Sequence, residues 1–216
     1  MDLQAETVER VRAYWRGWQQ RDAAGSVSIV VIRDALFIYA PEPLRTRLRA
    51  DAPADIAALV EMLGDDVERV VGEARLAYAD DATLRLVASE GVTDLADGDA
   101  RLAALEAASD PYEWRESSAD EPAECRVGIL ASDSLLAVGA LQLWDRALGH
   151  VSVFTAPPAR KRGLASQVGS AVVERARFLG VVPQWRSRCG NEASARVAHK
   201  LGFVAVGRQM TVRLTH

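Results

Sequence analysis

Arg160-Lys161-Arg162-Gly163-Leu164-Ala165 constrains the fold more than any other stretch of the chain. It follows the alternating run Val151-Ser152-Val153-Phe154-Thr155 and opens a segment with an apolar stripe from Leu164 to Leu179. Strand, basic glycine loop and helix in that order make a site for a pyrophosphate. The amides of a first helical turn have no intrahelical partner and carry the positive end of the peptide dipoles, so they hold an anion. Gly163 allows close approach, and the three cations before it add attraction. A Walker-type loop or a dinucleotide fingerprint needs spacings that this chain does not contain.

Bulk properties exclude some partners. The net charge of −4 argues against a nucleic-acid binder that works through a basic surplus, while a local basic loop still suits a phosphorylated ligand. Cys125 and Cys189 are too few for a disulfide framework and lack zinc-binding spacing. No apolar run reaches the span of a bilayer, and the first residues have no signal-peptide pattern. The expectation is a cytoplasmic protein without a membrane or nucleic-acid partner and without a metal.

Along the chain, Val8, Val11, Trp15 and Trp18 predict an amphipathic helix over residues 4–21. Runs 28–32 and 36–40 read as a hairpin around Arg33-Asp34, and Pro53 after Asp51 reads as the start of a helix that stops at Gly64. Residues 70–78 fit strand or helix equally, because Gly72 and Ala74 break the alternation. Next come an expected strand at 84–88, a helix at 100–108, an acidic loop from Arg115 to Glu124, and strands at 126–130, 135–143 and 150–155. Leu164, Val168, Ala171, Val172, Ala176 and Leu179 then share one helix face, Pro183 opens a strand, and a helix at 192–201 leads to a last strand.

Arg-x-x-Gly-x-Ala, together with the downstream segment Asn191-Glu192-Ala193-Ser194 to Leu201-Gly202-Phe203, resembles the two cofactor motifs of the GCN5-related N-acetyltransferases, the GNAT superfamily. The resemblance covers roughly the C-terminal three-fifths. It implies an α/β chain of the α+β type, with a mixed, mostly antiparallel central sheet flanked by helices. Residues 83–216 would form the acetyltransferase domain, and residues 1–82 an additional N-terminal α/β lobe, either a decayed copy of the fold or a substrate cap.

The same resemblance implies acetyl-CoA as acyl donor, the primary amine of a small or amino-acid-like molecule as acceptor, and direct attack in a ternary complex. It assigns cofactor binding to Val153, Phe154, Thr155, Arg160, Lys161, Arg162, Gly163, Leu164, Ala165, Ser166, Asn191 and Ser194. Asn191 is also a preferred helix N-cap, and both roles are compatible. Ala198 stands where many relatives carry a thiolate-protonating Tyr, so the general acid is unassigned, and His199 points elsewhere on the helix.

Two residues are candidates for the base. His150 begins the strand that leads to the thioester and titrates near working pH, although alternation could equally turn it against a helix. Glu113 belongs to the loop that lines the acceptor side in similar proteins. Its neighbour Trp114 would desolvate it; otherwise it is a solvated carboxylate. The alternative from another class is a catalytically weak acyl-CoA-binding sensor or regulatory module. Edge pairing through the last strand offers a route to a homodimer.

Overall fold

The computed structural model describes residues 2–21 and 25–215. The N-terminal stripe buries as expected: α1 (Ala5–Trp18) turns Thr7, Val8, Val11 and Trp15 inward. β1 (Ser26–Ile32) and β2 (Ala35–Tyr39) form the predicted hairpin, with Arg33 at φ 54 in its turn. α2 (Glu42–Ala50) lies where the sequence marked no element, since it buries little beyond Leu48. α3 (Ile56–Leu63) starts later than Pro53 implies, because the cap is Asp55, whose side chain accepts from the Ala58 amide at 2.8 Å. The ambiguous stretch is strand β3 (Val67–Tyr78), and three register shifts against its partner explain its broken alternation.

The remaining strands are β4 (Val92–Asp94), β5 (Cys125–Ala131), β6 (Ser134–Trp144), β7 (Leu148–Thr155), β8 (Val182–Arg188) and β9 (Val204–Leu214). The remaining helices are α4 (Ala100–Ala107), α5 (Pro111–Ser117), α6 (Leu164–Phe178) and α7 (Glu192–Lys200). All the strands join one sheet in the order β2-β1-β9-β3-β8-β7-β6-β5-β4. Every pair is antiparallel except β7 with β8. Hydrogen bonding therefore runs without a break across residue 82: β3 is inserted between β8 and β9, and β9 lies between β1 and β3.

Three expectations need correction. No strand forms at 84–88, because this segment crosses α6 and α7 and its donors are used there. The Arg85 amide binds the Leu201 carbonyl at 2.9 Å, and the Val87 amide binds Ser170 Oγ at 3.0 Å. The acidic stretch is not wholly loop, since Asp110 accepts from the Tyr112 and Glu113 amides at 2.9 Å and starts α5 on Pro111. The last strand is interior, so the edges open to another chain are β2 and β4.

Helices cover both faces. α6 lies close on one face because glycine leaves room beneath it: a Cβ on Gly139 would stand 2.9 Å from Val172 Cγ2, and one on Gly149 3.3 Å from Ala176 Cβ. Val168, Val172, Val173 and Ala176 fill that layer. α1 covers the opposite face above Leu76, Tyr78, Leu148 and Val182, and α5 packs Trp114 on Phe154 of the same face. No described helix is long and apolar enough to cross a membrane.

Candidate active site

β7 and β8 pair only at Leu148 with Val182, Gly149 with Pro183 and His150 with Gln184. Both strands then continue, to Thr155 and Arg188, without bonding each other. The result is a gap in the middle of the sheet, edged by main chain that neither strand pairs with the other. The Ala156 amide donates to Leu136 on β6. Because successive peptide groups of a strand alternate between its two edges, Phe154 also turns its main chain to β6, while Val153 and Thr155 turn theirs to the gap. Of these three predicted ligands, Phe154 instead contributes its ring, 5.1 Å from that of Trp114.

The loop from Arg160 ends beside this gap. Gly163, at φ +83, is the N-cap of α6, and a Cβ there would meet nothing within 4 Å. The Ser166 amide bonds back to the Gly163 carbonyl at 3.0 Å, whereas the amides of Arg162, Gly163, Leu164 and Ala165 make no hydrogen bond among the described residues. Lys161, at φ 62, and Arg162 are exposed and without an ion pair among the described residues; Leu164 and Ser166 are buried. Arg160 is turned away from the helix start. Its Nε donates to the Thr155 carbonyl at 3.2 Å, its Nη2 donates to Glu113 Oε2 at 2.5 Å, and its guanidinium lies 5.9 Å from the Phe154 ring centre. Glu113 is thus half-exposed and ion-paired, and Trp114 points into the core rather than over it.

Across the gap, Asn191 caps α7 through Oδ1, which accepts from the Ser194 amide at 3.0 Å. Ser194 Oγ accepts from Trp185 Nε1 at 2.9 Å, so its hydroxyl already braces β8. Ala198 is buried in the core and His199 is exposed.

The opposite face carries a feature that the motifs did not indicate. Gln142, His150, Gln184 and Tyr78 stand opposite one another on β6, β7, β8 and β3, forming a buried polar row across four strands. Tyr78 Oη accepts from Trp15 Nε1 and from Gln184 Nε2, each at 2.9 Å, and Gln142 Nε2 donates to the Ser118 carbonyl at 2.9 Å. His150 Nδ1, Gln142 Oε1, Gln184 Oε1 and, one step toward the gap, Ser152 Oγ are buried without partners. The available sequence signal was one polar residue in each of several otherwise apolar strands. His150 packs 5.5 Å from the Trp144 ring, and its pKa falls to about 3, through burial first and the Arg186 cation second. Burial and nearby Asp145 push Tyr14 up to about 12, and burial raises Tyr78 further.

No group of three His, Cys, Asp or Glu among the described residues is placed to hold a metal ion, and Cys125 and Cys189 are free thiols.

The family model for GNAT acetyltransferase matches residues 129–209, from the end of β5 into β9. Solved structures agree in fold. A GCN5-related N-acetyltransferase from Kribbella flavida is 16% identical with TM-score 0.56, covering 100% of this chain and 97% of that one. A GNAT-family acetyltransferase from Colwellia psychrerythraea is 14% identical with TM-score 0.54, covering 99% and 98%. A GNAT-family protein from Novosphingobium aromaticivorans is 22% identical with TM-score 0.53, covering 74% and 80%. No curated protein matches the chain in sequence. Residues 129–209 thus match the model of the GNAT acetyltransferase family, and the whole chain has the fold of these GNAT structures.

Proposed function

We propose that the protein is an acetyl-CoA-dependent N-acetyltransferase, acting on the primary amine of a small, amino-acid-like acceptor by direct attack in a ternary complex. One observation carries the reading: free amides at residues 162–165 adjoin a gap in the sheet edged by Val153 and Thr155. The helix start suits the donor's diphosphate, with Lys161 and Arg162 adding charge. The main chain of Val153 and Thr155 suits the pantetheine arm and the thioester oxygen, where a fixed N–H stabilises the developing oxyanion. To the same donor channel we assign the amide nitrogen of Asn191, whose Oδ1 is taken by the Ser194 amide, and the α6 start at Leu164 to Ser166. The acceptor then approaches from the polar face, through the gap.

Proton handling follows from the environments. His150 is neutral at pH 7 and too weakly basic to take a full proton, so its free Nδ1 serves as a hydrogen-bond acceptor for the incoming amine. Glu113 acts on Arg160 rather than on the acceptor. With Ala198 buried, the departing thiolate, whose pKa is near ~8.5, takes its proton from water. The second reading, a catalytically weak acyl-CoA sensor, draws on the same two observations, Ala198 and the low basicity of His150. A protein of this kind would be cytoplasmic.

Thermal melting with acetyl-CoA and thiol release over an amine panel test the reading. Acetyl-CoA at millimolar concentration raises the melting temperature, Gly163→Glu abolishes the shift, and thiol appears with some amine. Stabilisation without turnover on any amine selects the sensor. No stabilisation at all sinks both.

A further inference from the structure

Six arginines besides Arg186 are not exposed: Arg12, Arg45, Arg75, Arg101, Arg126 and Arg208. Each holds a carboxylate. Arg186 alone among the described residues is partly buried yet has neither ion pair nor hydrogen bond. A guanidinium withdrawn from water without a counterion is costly, and such groups normally have a partner.

Its place in the fold says what that partner does. Alternation along β8 puts Trp185 and Ser187 on the α6 and α7 side and Gln184, Arg186 and Arg188 on the other. Arg186 is therefore on the face opposite the helix start that suits a diphosphate. It lies two residues beyond the last β7–β8 pair, level with Ser152, where the gap begins. The guanidinium carbon is 5.7 Å from the Trp144 ring centre, so one plane of the fork is covered and its donor edge is free. Nearby are the unpartnered Ser152 Oγ, His150 Nδ1 and Gln184 Oε1, on residues that are 4%, 9% and 0% exposed.

We propose that Arg186 is the acceptor-recognition residue, binding in bidentate fashion a carboxylate that the acceptor carries close to its amine, so that the acceptor class is amino acids. The inference rests on the transferase reading for its account of the amine. A planar fork with one stacked face matches a planar carboxylate. Glu116 and Glu121 lie close enough to act on Arg186, which disfavours a doubly charged phosphate there and suits the ammonium of a zwitterion. Glu116 is itself held by Arg188 at 3.8 Å, and Arg188 stacks 5.3 Å from the Tyr112 ring. Burial lowers the pKa of Arg186, the direction for a cation awaiting its counterion.

The test compares free α-amino acids with their carboxamides, which keep a primary α-amine, if a less basic one, and replace the carboxylate by a neutral amide, and with aminoalkyl phosphates. Thiol release from acetyl-CoA is measured for the native chain, Arg186→Lys and Arg186→Met. In parallel, melting is followed with each amino acid alone and with acetyl-CoA alone. Amino acids exceed their carboxamides at least tenfold in kcat/KM. Arg186→Met erases that preference mainly through KM, Arg186→Lys retains part of it, and both variants keep the acetyl-CoA melting shift. Carboxamides or aminoalkyl phosphates used as well as amino acids overturn the proposal, as does an undiminished preference in Arg186→Met. Failure of the transferase reading is separate: acetyl-CoA then neither stabilises nor reacts. In that case Arg186-dependent stabilisation by an amino acid alone upholds the site, and its absence overturns it.

Discussion

Arg160 and Glu113 join the loop before α6 to the start of α5, Nη2 to Oε2 at 2.5 Å, across the mouth of the gap between β7 and β8. The pair is about half exposed, so it contributes only about 0.2–1 kcal/mol to stability. On the proposed reading its effect on acetyl-CoA is larger, because Arg160 is committed to a carboxylate when an incoming phosphate would use it. Glu113→Gln should therefore leave the melting temperature nearly unchanged and tighten acetyl-CoA binding by about threefold to tenfold, on the scale of ~1 kcal/mol. Calorimetric titration checks this, with Arg160→Gln weakening binding as the opposite arm.

Asn191 offers a separation of cap from ligand. Asn191→Asp keeps an oxygen for the Ser194 amide and loses the amide nitrogen, whereas Asn191→Ala loses both. The cap is worth about 1 kcal/mol, so only the Ala variant should melt earlier without ligand. Both should bind acetyl-CoA more weakly. An Asp variant that binds as tightly as the native protein removes Asn191 from the donor site.

Gly139 should resist any side chain. A methyl group there would meet Val172 Cγ2 at 2.9 Å and the Val168 carbonyl at 3.1 Å, forcing α6 outward. Gly139→Ala should destabilise by about 1–3 kcal/mol, the usual range for overpacking. Because α6 carries the free amides, the acetyl-CoA melting shift should shrink as well. Denaturant unfolding with and without the ligand measures both effects.

His150 gives stability a defined pH dependence. Its pKa is near 6.5 in an unfolded chain and about 3 in the folded one, so between those values the unfolded state binds more protons. The contribution is intact above pH 6.5 and is lost progressively as pH falls toward 3, about 5 kcal/mol at most. His150→Gln should flatten the decline in melting temperature between pH 6.5 and 4.5. Equal slopes in the two proteins would show that the imidazole is not held neutral.

The C-terminal fold was legible because its signals are local. The apolar stripe of α6, the Gly163 cap and the strand before it each lie within one helical or strand period, and their boundaries were close. The polar row was illegible, since Gln142, His150, Gln184 and Tyr78 become neighbours only through strand register. Arg186 was missed for the same reason: one arginine in a strand says nothing until its missing partner is known. Residues 84–88 misled because an extended, β-prone segment was stabilised by Ser170 and Leu201 on helices rather than by a strand.

β3 has consequences for how the chain acquires its shape. Both of its neighbours, β8 and β9, are synthesised more than a hundred residues after it. On a ribosome it must wait with both edges bare until more than a hundred further residues have emerged, a state prone to mispairing and slow to resolve. The seam between β1 and β3 closes only when β9 arrives. Loss of β9 would therefore leave the earliest-made strands without their seam, which ties the maturation of the sheet to the synthesis of Val204–Leu214.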